Sequence, residues 1–189
     1  MLSIRVVARA RLAAIVALCI AISLLAGLPA LAADDVSLAD LKAATRSLGF
    51  LQNLPRANEF VVGIVYLSGS PGNKSLAQQA AERMRTLPGP KDTGLKAEMI
   101  ALGDLANYTD RLDALYLLPG TAANPSPIVE VARRRHLLVM SNDRTCLDQR
   151  CCMLMVRDNG RVEIVLDTEL AQSADVSFSS VFAMMVKHK

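Results

Sequence analysis

The chain has 189 residues, of which 52% are hydrophobic and 21% are charged, and its formal net charge is +3. This length suits a single domain with a hydrophobic core, and the composition excludes an intrinsically disordered chain. The positive charge resides in Arg5, Arg9 and Arg11, because the chain beyond residue 32 is close to neutral. We therefore expect no nucleic acid among the partners.

Residues 1–32 have the three-part pattern of a secretory signal peptide. Three arginines precede an uncharged apolar run from Leu12 to Leu28, and small residues stand one and three places before a cut after Ala32. The alternative is a permanent membrane anchor, since a run of roughly 17 residues is enough to span a bilayer. We favour cleavage, because Pro29 and small residues follow the run. Residues 33–189 are then predicted to form a single periplasmic domain.

The next part of the chain alternates between helix and strand patterns. Ser37 to Phe50 has apolar residues at helical spacing, and Phe60 to Leu67 is a continuous apolar run typical of a strand buried on both faces. The further predicted elements are a helix from Ser75 to Leu87, strands from Leu95 to Leu102 and from Leu112 to Leu118, a helix from Pro127 to Arg135, capped by Ser126, and a strand from His136 to Met140. This order predicts an α/β domain with a mostly parallel sheet flanked by helices.

The C-terminal part has a different pattern. Two alternating segments, Cys152 to Arg157 and Arg161 to Asp167, surround the sequence Asp158-Asn159-Gly160. Asn-Gly between such segments predicts a type I′ turn, and so an antiparallel hairpin at an edge of the sheet. Thr168 to Ala174 is predicted as a short helix, and Val176 to Val186 as either helix or strand.

Three cysteines, Cys146, Cys151 and Cys152, lie together before this hairpin. In an oxidising compartment two of them tend to pair, either Cys146 with one of its neighbours or, with strain, the adjacent two. The bridge is then a structural staple, which we favour, or a redox switch whose odd cysteine exchanges partners or joins a second chain. A metal site is not expected, because no Cys-x-x-Cys pair occurs beside them.

The sequence contains few residues suited to catalysis. Its two histidines are His136, at the start of a predicted strand, and His188, next to the C-terminus. No nucleophile, zinc-protease or phosphate-loop motif is present. We therefore expect a protein that is not an enzyme and has no cofactor.

One loop has the composition of a weak ligand-binding site. Ser68, Gly69, Ser70 and Gly72 lie between the first predicted strand and the following helix. Backbone N–H groups and a helix N-terminus would meet there at the carboxyl end of a strand, where open α/β sheets bind ligands. An ordinary βα turn has the same composition.

Several segments taken together resemble the YfiR family of periplasmic proteins. Ser141-Asn142-Asp143 matches the end of a family strand, Gly160 to Ile164 matches the next one, and Ser179-Ser180 matches the tail, while Cys151-Cys152 stands where the family has Gly-Gly. The matching segments are LKAATRSLGFLQNLPRANEFVVGIVYL, LDALYLLPG, HLLVMSNDRTCL and CCMLMVRDNGRVEIVLDTELAQSADVSFSS.

This resemblance implies a regulator that restrains an inner-membrane diguanylate cyclase or another membrane sensor. Such a protein would lower cyclic di-GMP and biofilm formation, and Cys146 with Cys151 or Cys152 would tune it by redox. For partner contact we choose the hairpin Met153 to Asp167. A second copy of the same chain, giving a homodimer, is a further candidate partner. The alternative is a periplasmic small-molecule (solute) binding module of a transport or sensing system.

Overall fold

The computed structural model describes residues 36–53, 58–69 and 71–189. The predicted signal peptide and Ser70 lie outside these ranges, so the signal peptide and its cleavage stay predictions. The described residues belong to one compact unit.

The unit contains six helices and seven strands among its described residues. The helices are α1 (Leu38–Leu48), α2 (Pro71–Arg85), α3 (Ser126–Arg135), α4 (Arg144–Asp148), α5 (Thr168–Ser173) and α6 (Ser180–Met185). The strands are β1 (Glu59–Tyr66), β2 (Gly94–Ala101), β3 (Ala114–Leu117), β4 (Leu138–Ser141), β5 (Leu154–Asp158), β6 (Val162–Leu166) and β7 (Lys187–His188). Short 3-10 turns cover Pro90–Asp92, Leu102–Asn107 and Thr121–Ala123.

All seven strands form one sheet in the order β2-β1-β3-β4-β5-β6-β7. The strands from β2 to β5 pair in parallel, β5 and β6 form the antiparallel hairpin, and β7 lies parallel to β6. Every residue of β3 and β4 is buried, as expected for central strands covered on both faces. The predicted fold class is confirmed.

Two helix ends differ from the prediction. Helix α2 begins at Pro71 and not at Ser75. Proline suits the first position of a helix, because its φ is already helical and the N–H that it lacks would have no partner within the helix. Helix α3 includes Ser126, which was expected to be its cap. His136 does not open a strand: it ends α3 in the left-handed conformation (φ 54°), with its N–H bonded to the Ala132 carbonyl.

The hairpin turn is also not the predicted type. Asp158 pairs with Val162, so three residues form the loop between them. A type I′ turn requires positive φ at both Asn159 and Gly160, but only Gly160 has it (82°). The Asp158 carboxylate accepts a hydrogen bond from the Gly160 N–H (2.9 Å), which stabilises this local turn.

Candidate functional site

A disulfide joins Cys146 in α4 to Cys151 just before β5, with the two Cα atoms 5.1 Å apart. Both cysteines are buried. The Cys151 N–H also donates a hydrogen bond to the Cys146 carbonyl (2.9 Å), so the backbone closes the same short loop. The structure thus selects one of the pairings that the sequence left open.

The third cysteine, Cys152, is a free and fully buried thiol. Burial raises the pKa of this thiol well above its ordinary value, and the nearby Asp143 carboxylate adds to the shift. Because the thiolate is the form that attacks a disulfide, we expect Cys152 to be unreactive while the domain is folded. An exchange of disulfide partners through Cys152 would first require local opening.

Arg150, inside the disulfide loop, ties that loop to the start of α5. Its guanidinium lies 3.3 Å from the buried Asp167 carboxylate and 3.0 Å from Glu169. Asp167 also caps α5, since its Oδ1 accepts a hydrogen bond from the Leu170 N–H (2.9 Å). Arg150 adopts positive φ (56°), a conformation that costs backbone energy and is held by these contacts.

The last residue of the chain contacts the same loop. The Lys189 ammonium donates to the Leu147 carbonyl at the end of α4 and lies 3.9 Å from Asp167. The Lys189 N–H donates to the Leu166 carbonyl (3.1 Å), which extends the pairing of β7 with β6. The disulfide loop, the cap of α5 and the C-terminus therefore form one cluster, which we call the disulfide cluster.

A second polar cluster centres on Asp40, which is 3% exposed. Its Oδ2 accepts hydrogen bonds from the Ser37 N–H (3.1 Å) and from the Asn142 side-chain amide (3.2 Å). Its Oδ1 accepts from the Asp158 N–H (2.6 Å). One carboxylate therefore connects α1 to the end of β4 and to the hairpin turn.

The hairpin Met153 to Asp167, chosen for partner contact, is accessible only in part. Its residues from Met153 to Val156 are buried, whereas the turn is exposed and Val162 is 47% exposed. The surface that a partner could touch is therefore the turn and the first half of β6.

The loop after β1 lies at the carboxyl end of that strand. Ser68 and Gly69 form an exposed turn, in which Gly69 has positive φ (106°). Gly72 lies in the first turn of α2 and is also exposed. The disulfide cluster includes none of these residues.

Within the described ranges, no helix is long and apolar enough to cross a bilayer. The same residues contain no group of three or more His, Cys, Asp or Glu side chains arranged to hold a metal ion.

Sequence reasoning missed Asp40, Arg150, Asp167 and Lys189 as members of these clusters. Two local signals were available. Ser37 and Asp40 have the spacing of a capping box, which the structure contains, and Asp167 stands directly before the helix predicted from Thr168, which it caps. The bonds from Asp40 to Asn142 and Asp158 span more than 100 residues, so no local pattern reports them.

Solved structures with a similar fold define the class of this domain. An ABC domain from Streptococcus pneumonia in complex with L-Trp has a TM-score of 0.56 and 12% identity, covering 82% of this chain and 62% of that one. A conserved domain protein from Vibrio cholerae has the same TM-score of 0.56 and 12% identity, covering 82% and 61%. The ligand-free, open structure of a substrate binding protein with adhesive properties from Clostridium difficile has a TM-score of 0.53 and 8% identity, covering 69% and 54%.

The chain thus spans about three fifths of the length of these proteins or slightly less. At such low identity the likeness concerns the fold alone, and it agrees with the α/β sheet described above. No curated protein sequence matches the chain.

The family is defined by a separate match. The model of the YfiR/HmsC-like family matches residues 56–185, well over half of the chain. The chain therefore belongs to the YfiR/HmsC-like family, a family of periplasmic regulators, and the resemblance seen in the sequence is confirmed.

Proposed function

We propose that this protein is a periplasmic regulator that binds and restrains an inner-membrane diguanylate cyclase. The observation that carries the proposal is the family match over residues 56–185, which includes the disulfide loop and the hairpin. In this account the protein catalyses no reaction itself, and it lowers cyclic di-GMP, and so biofilm formation, by holding its partner inactive.

The disulfide cluster supports a role for the disulfide in controlling that restraint. Reduction would transfer two electrons and two protons from a dithiol donor, which becomes a disulfide, to Cys146 and Cys151, which become thiols. The short loop that positions Arg150 would then lose its covalent closure. Arg150 and Lys189 both contact Asp167, so loosening the loop would weaken the contacts of α5 and β7. Both elements adjoin β6, the part of the hairpin that is accessible to a partner.

The proposal requires export of the protein. Residues 1–32 would serve as a cleavable signal peptide, and residues 33–189 would be the periplasmic domain. Mass spectrometry of the protein recovered from the periplasm tests this directly. A mass starting at Ala33 supports cleavage, whereas the uncleaved mass in the membrane fraction supports the anchor.

Cyclic di-GMP measured in cells tests the regulatory role. A strain lacking the protein should contain more cyclic di-GMP, and the wild-type protein should restore the lower level. A variant with Cys146→Ser and Cys151→Ser should restore it less well, while the control Cys152→Ala should act like the wild type. An unchanged cyclic di-GMP level in the deletion strain would contradict the proposed function.

A second candidate function is small-molecule binding, favoured by the likeness to solved substrate-binding structures. The exposed residues Ser68, Gly69 and Gly72, together with Ser70, would supply backbone N–H groups to a ligand. Thermal unfolding with a panel of free amino acids and small anions tests this candidate. A rise in melting temperature that a Gly72→Asp variant abolishes would support it, and no rise with any compound would count against it.

A further inference from the structure

An open groove lies between α1, the start of β6 and α6. Its volume is about 740 Å³, within the ~300–1,000 Å³ typical of binding pockets. Its apolar lining comes from Ala43, Phe50, Val162, Ile164, Phe182 and Met185. Helix α1, which lines one side of the groove, packs over β5, the strand beside β6 in the sheet.

Two of the exposed large apolar side chains, Val162 and Met185, line this groove, and Val181 and Met184 lie beside Met185 on α6. Val181, Met184 and Met185 on α6 are 55%, 79% and 64% exposed, and Val162 on β6 is 47% exposed. Val181, Met184 and Met185 have the i, i+3, i+4 spacing that places them on one face of the helix. Methionine side chains adapt their shape to a partner, so this face suits protein contact.

Helix α6 is fixed in place even though its outer face is exposed. Phe182 is buried and stacks on Phe50 and on Phe178, with ring centroids 4.9 Å apart in both pairs. The Ser179 N–H, just before the helix, donates to the Phe50 carbonyl (2.8 Å). The apolar face therefore belongs to an anchored element of the fold.

The charges around the groove are mostly positive. Arg46, Arg161 and Lys187 line it together with one acid, Glu163, which Lys187 contacts at 2.6 Å. This contact lowers the pKa of Glu163, so the pair is ionised at neutral pH and its charges cancel. Among the described residues, Arg46 and Arg161 form no ion pair, so the groove has a net positive rim.

We propose that this groove binds an amphipathic helix with acidic residues beside its apolar face, supplied by a protein partner. The apolar lining would receive the apolar face of that helix, and Arg46 and Arg161 would contact its acidic residues. This inference rests on the proposed function, because it specifies the chemistry of the partner segment that the regulator would hold.

The same charges argue against a second copy as the occupant. A symmetric contact through α6 would bring Arg46 and Arg161 of both copies close together, and helix α6 has no acidic residue to balance them. The concave shape argues against a lipid surface, since a flat bilayer would leave the interior of the groove unfilled.

Titration of the purified protein with designed peptides tests the proposal. The probe is an amphipathic peptide of about 18 residues, or five helical turns, with Leu on one face and Glu on the other. A control peptide has Gln in place of each Glu, and a second has Lys. We expect the acidic peptide to bind roughly tenfold more tightly than the Gln peptide, and the Lys peptide not to bind.

Variants of the protein locate the binding site. Arg161→Glu and Met185→Ser should each weaken binding of the acidic peptide by roughly tenfold, because one reverses a rim charge and the other removes apolar contact. Lys74→Glu, on the exposed face of α2, alters the net charge as Arg161→Glu does and should leave the affinity unchanged. Circular dichroism would verify that each variant is folded.

Several results would overturn the proposal. In the titrations, these are equal binding of all three peptides and an equal loss of affinity in Lys74→Glu and Arg161→Glu. Two other contradicting results are binding of the protein to phosphatidylglycerol vesicles but to no peptide, and a dimer in solution that Met185→Ser disrupts. Because the titration contains no cyclase, its result is independent of the cyclic di-GMP measurement. If the peptide binds but the protein has no effect on cyclic di-GMP, the proposal for the groove stands and the proposed function is rejected.

Discussion

The backbone N–H of Asp158 donates a 2.6 Å hydrogen bond to the carboxylate of Asp40, which stands 118 residues earlier in the chain. This bond fixes the hairpin turn against α1, the helix that lines one side of the groove. The position of the proposed partner surface therefore depends on a buried carboxylate in the first helix.

Replacing Asp40 by Ala should lower the free energy of unfolding by about 2–3 kcal/mol. The change removes the charged acceptor of three hydrogen bonds, from the Ser37 N–H, the Asp158 N–H and the Asn142 amide, and hydrogen bonds to a charged group are stronger than neutral ones. Urea denaturation measures the effect. Glu82→Ala, at an exposed position of α2, is the control and should change stability by less than about 0.5 kcal/mol. Equal effects in the two variants would show that the Asp40 cluster contributes no stability.

Reduction of the disulfide should destabilise the protein by about 2 kcal/mol, the loop-entropy value for a bridge with a sequence separation of 5. The measurement is urea denaturation with and without dithiothreitol. The double variant Cys146→Ser, Cys151→Ser should be insensitive to the reductant. Sensitivity of that variant would mean that the reductant acts elsewhere.

The Arg150→Ala variant should be less stable than the wild type, and by more than its control, because the buried Asp167 carboxylate loses its nearest cation. Arg144→Ala is the matched control: its i,i+4 partner Asp148 is 60% exposed, so its loss should cost less than about 0.5 kcal/mol. Hydrogen exchange of the amides in β7 should accelerate in Arg150→Ala only. Acceleration in both variants, or in neither, would contradict the connection between the loop and the C-terminus.

Cys152 should resist alkylation by iodoacetamide in the native protein and react after unfolding in urea. Burial raises the pKa of its thiol above the ordinary 9.0, so the unfolded state loses this proton at a lower pH than the folded state. The contribution of Cys152 to stability is therefore present below about pH 9 and decreases as the pH rises further. Cys152→Ala should show a weaker loss of stability between about pH 8 and about pH 10. Rapid native labelling of Cys152 would contradict its burial.

Gly160→Ala should lower the free energy of unfolding by about 1 kcal/mol, because residue 160 has φ 82°, which strains the backbone of any residue but glycine. An added Cβ meets nothing within 4 Å, so backbone strain is the sole contribution. Gly103→Ala is the control, since an added Cβ there also meets nothing but φ is not positive. Its stability should stay equal or rise slightly. Thermal unfolding of the two variants compares them, and an equal loss in both would contradict the role of the left-handed turn.

The order of helices and strands was predictable because it depends on local patterns. The apolar run of β1 and the Asn-Gly sequence of the hairpin indicate their structures without reference to the rest of the chain. Local patterns failed where a neighbouring group decided the outcome. The Asp158 carboxylate selects the turn at Gly160, and the left-handed His136 delays the start of β4.

The clusters were less predictable than the fold. The sequence and the expected compartment indicated that two of the three cysteines pair. Which two pair depends on the path of the chain between α4 and β5, which no local pattern gives. Contacts of Asp167 with Arg150 and Lys189 join segments that are 17 and 22 residues apart along the chain, and no spacing rule connects them. Such contacts follow from the tertiary fold, so only the structure reveals them.

Recovery of a membrane partner tests the central claim most directly. Oxidised and reduced protein would be incubated with solubilised inner membranes, purified, and analysed by mass spectrometry, with Arg161→Glu as the control for the groove. The account predicts that a diguanylate cyclase is recovered in amounts that depend on the state of the Cys146–Cys151 disulfide, and that Arg161→Glu recovers less of it. Recovery of a permease, or of no membrane protein in either state, would contradict the account and favour small-molecule binding.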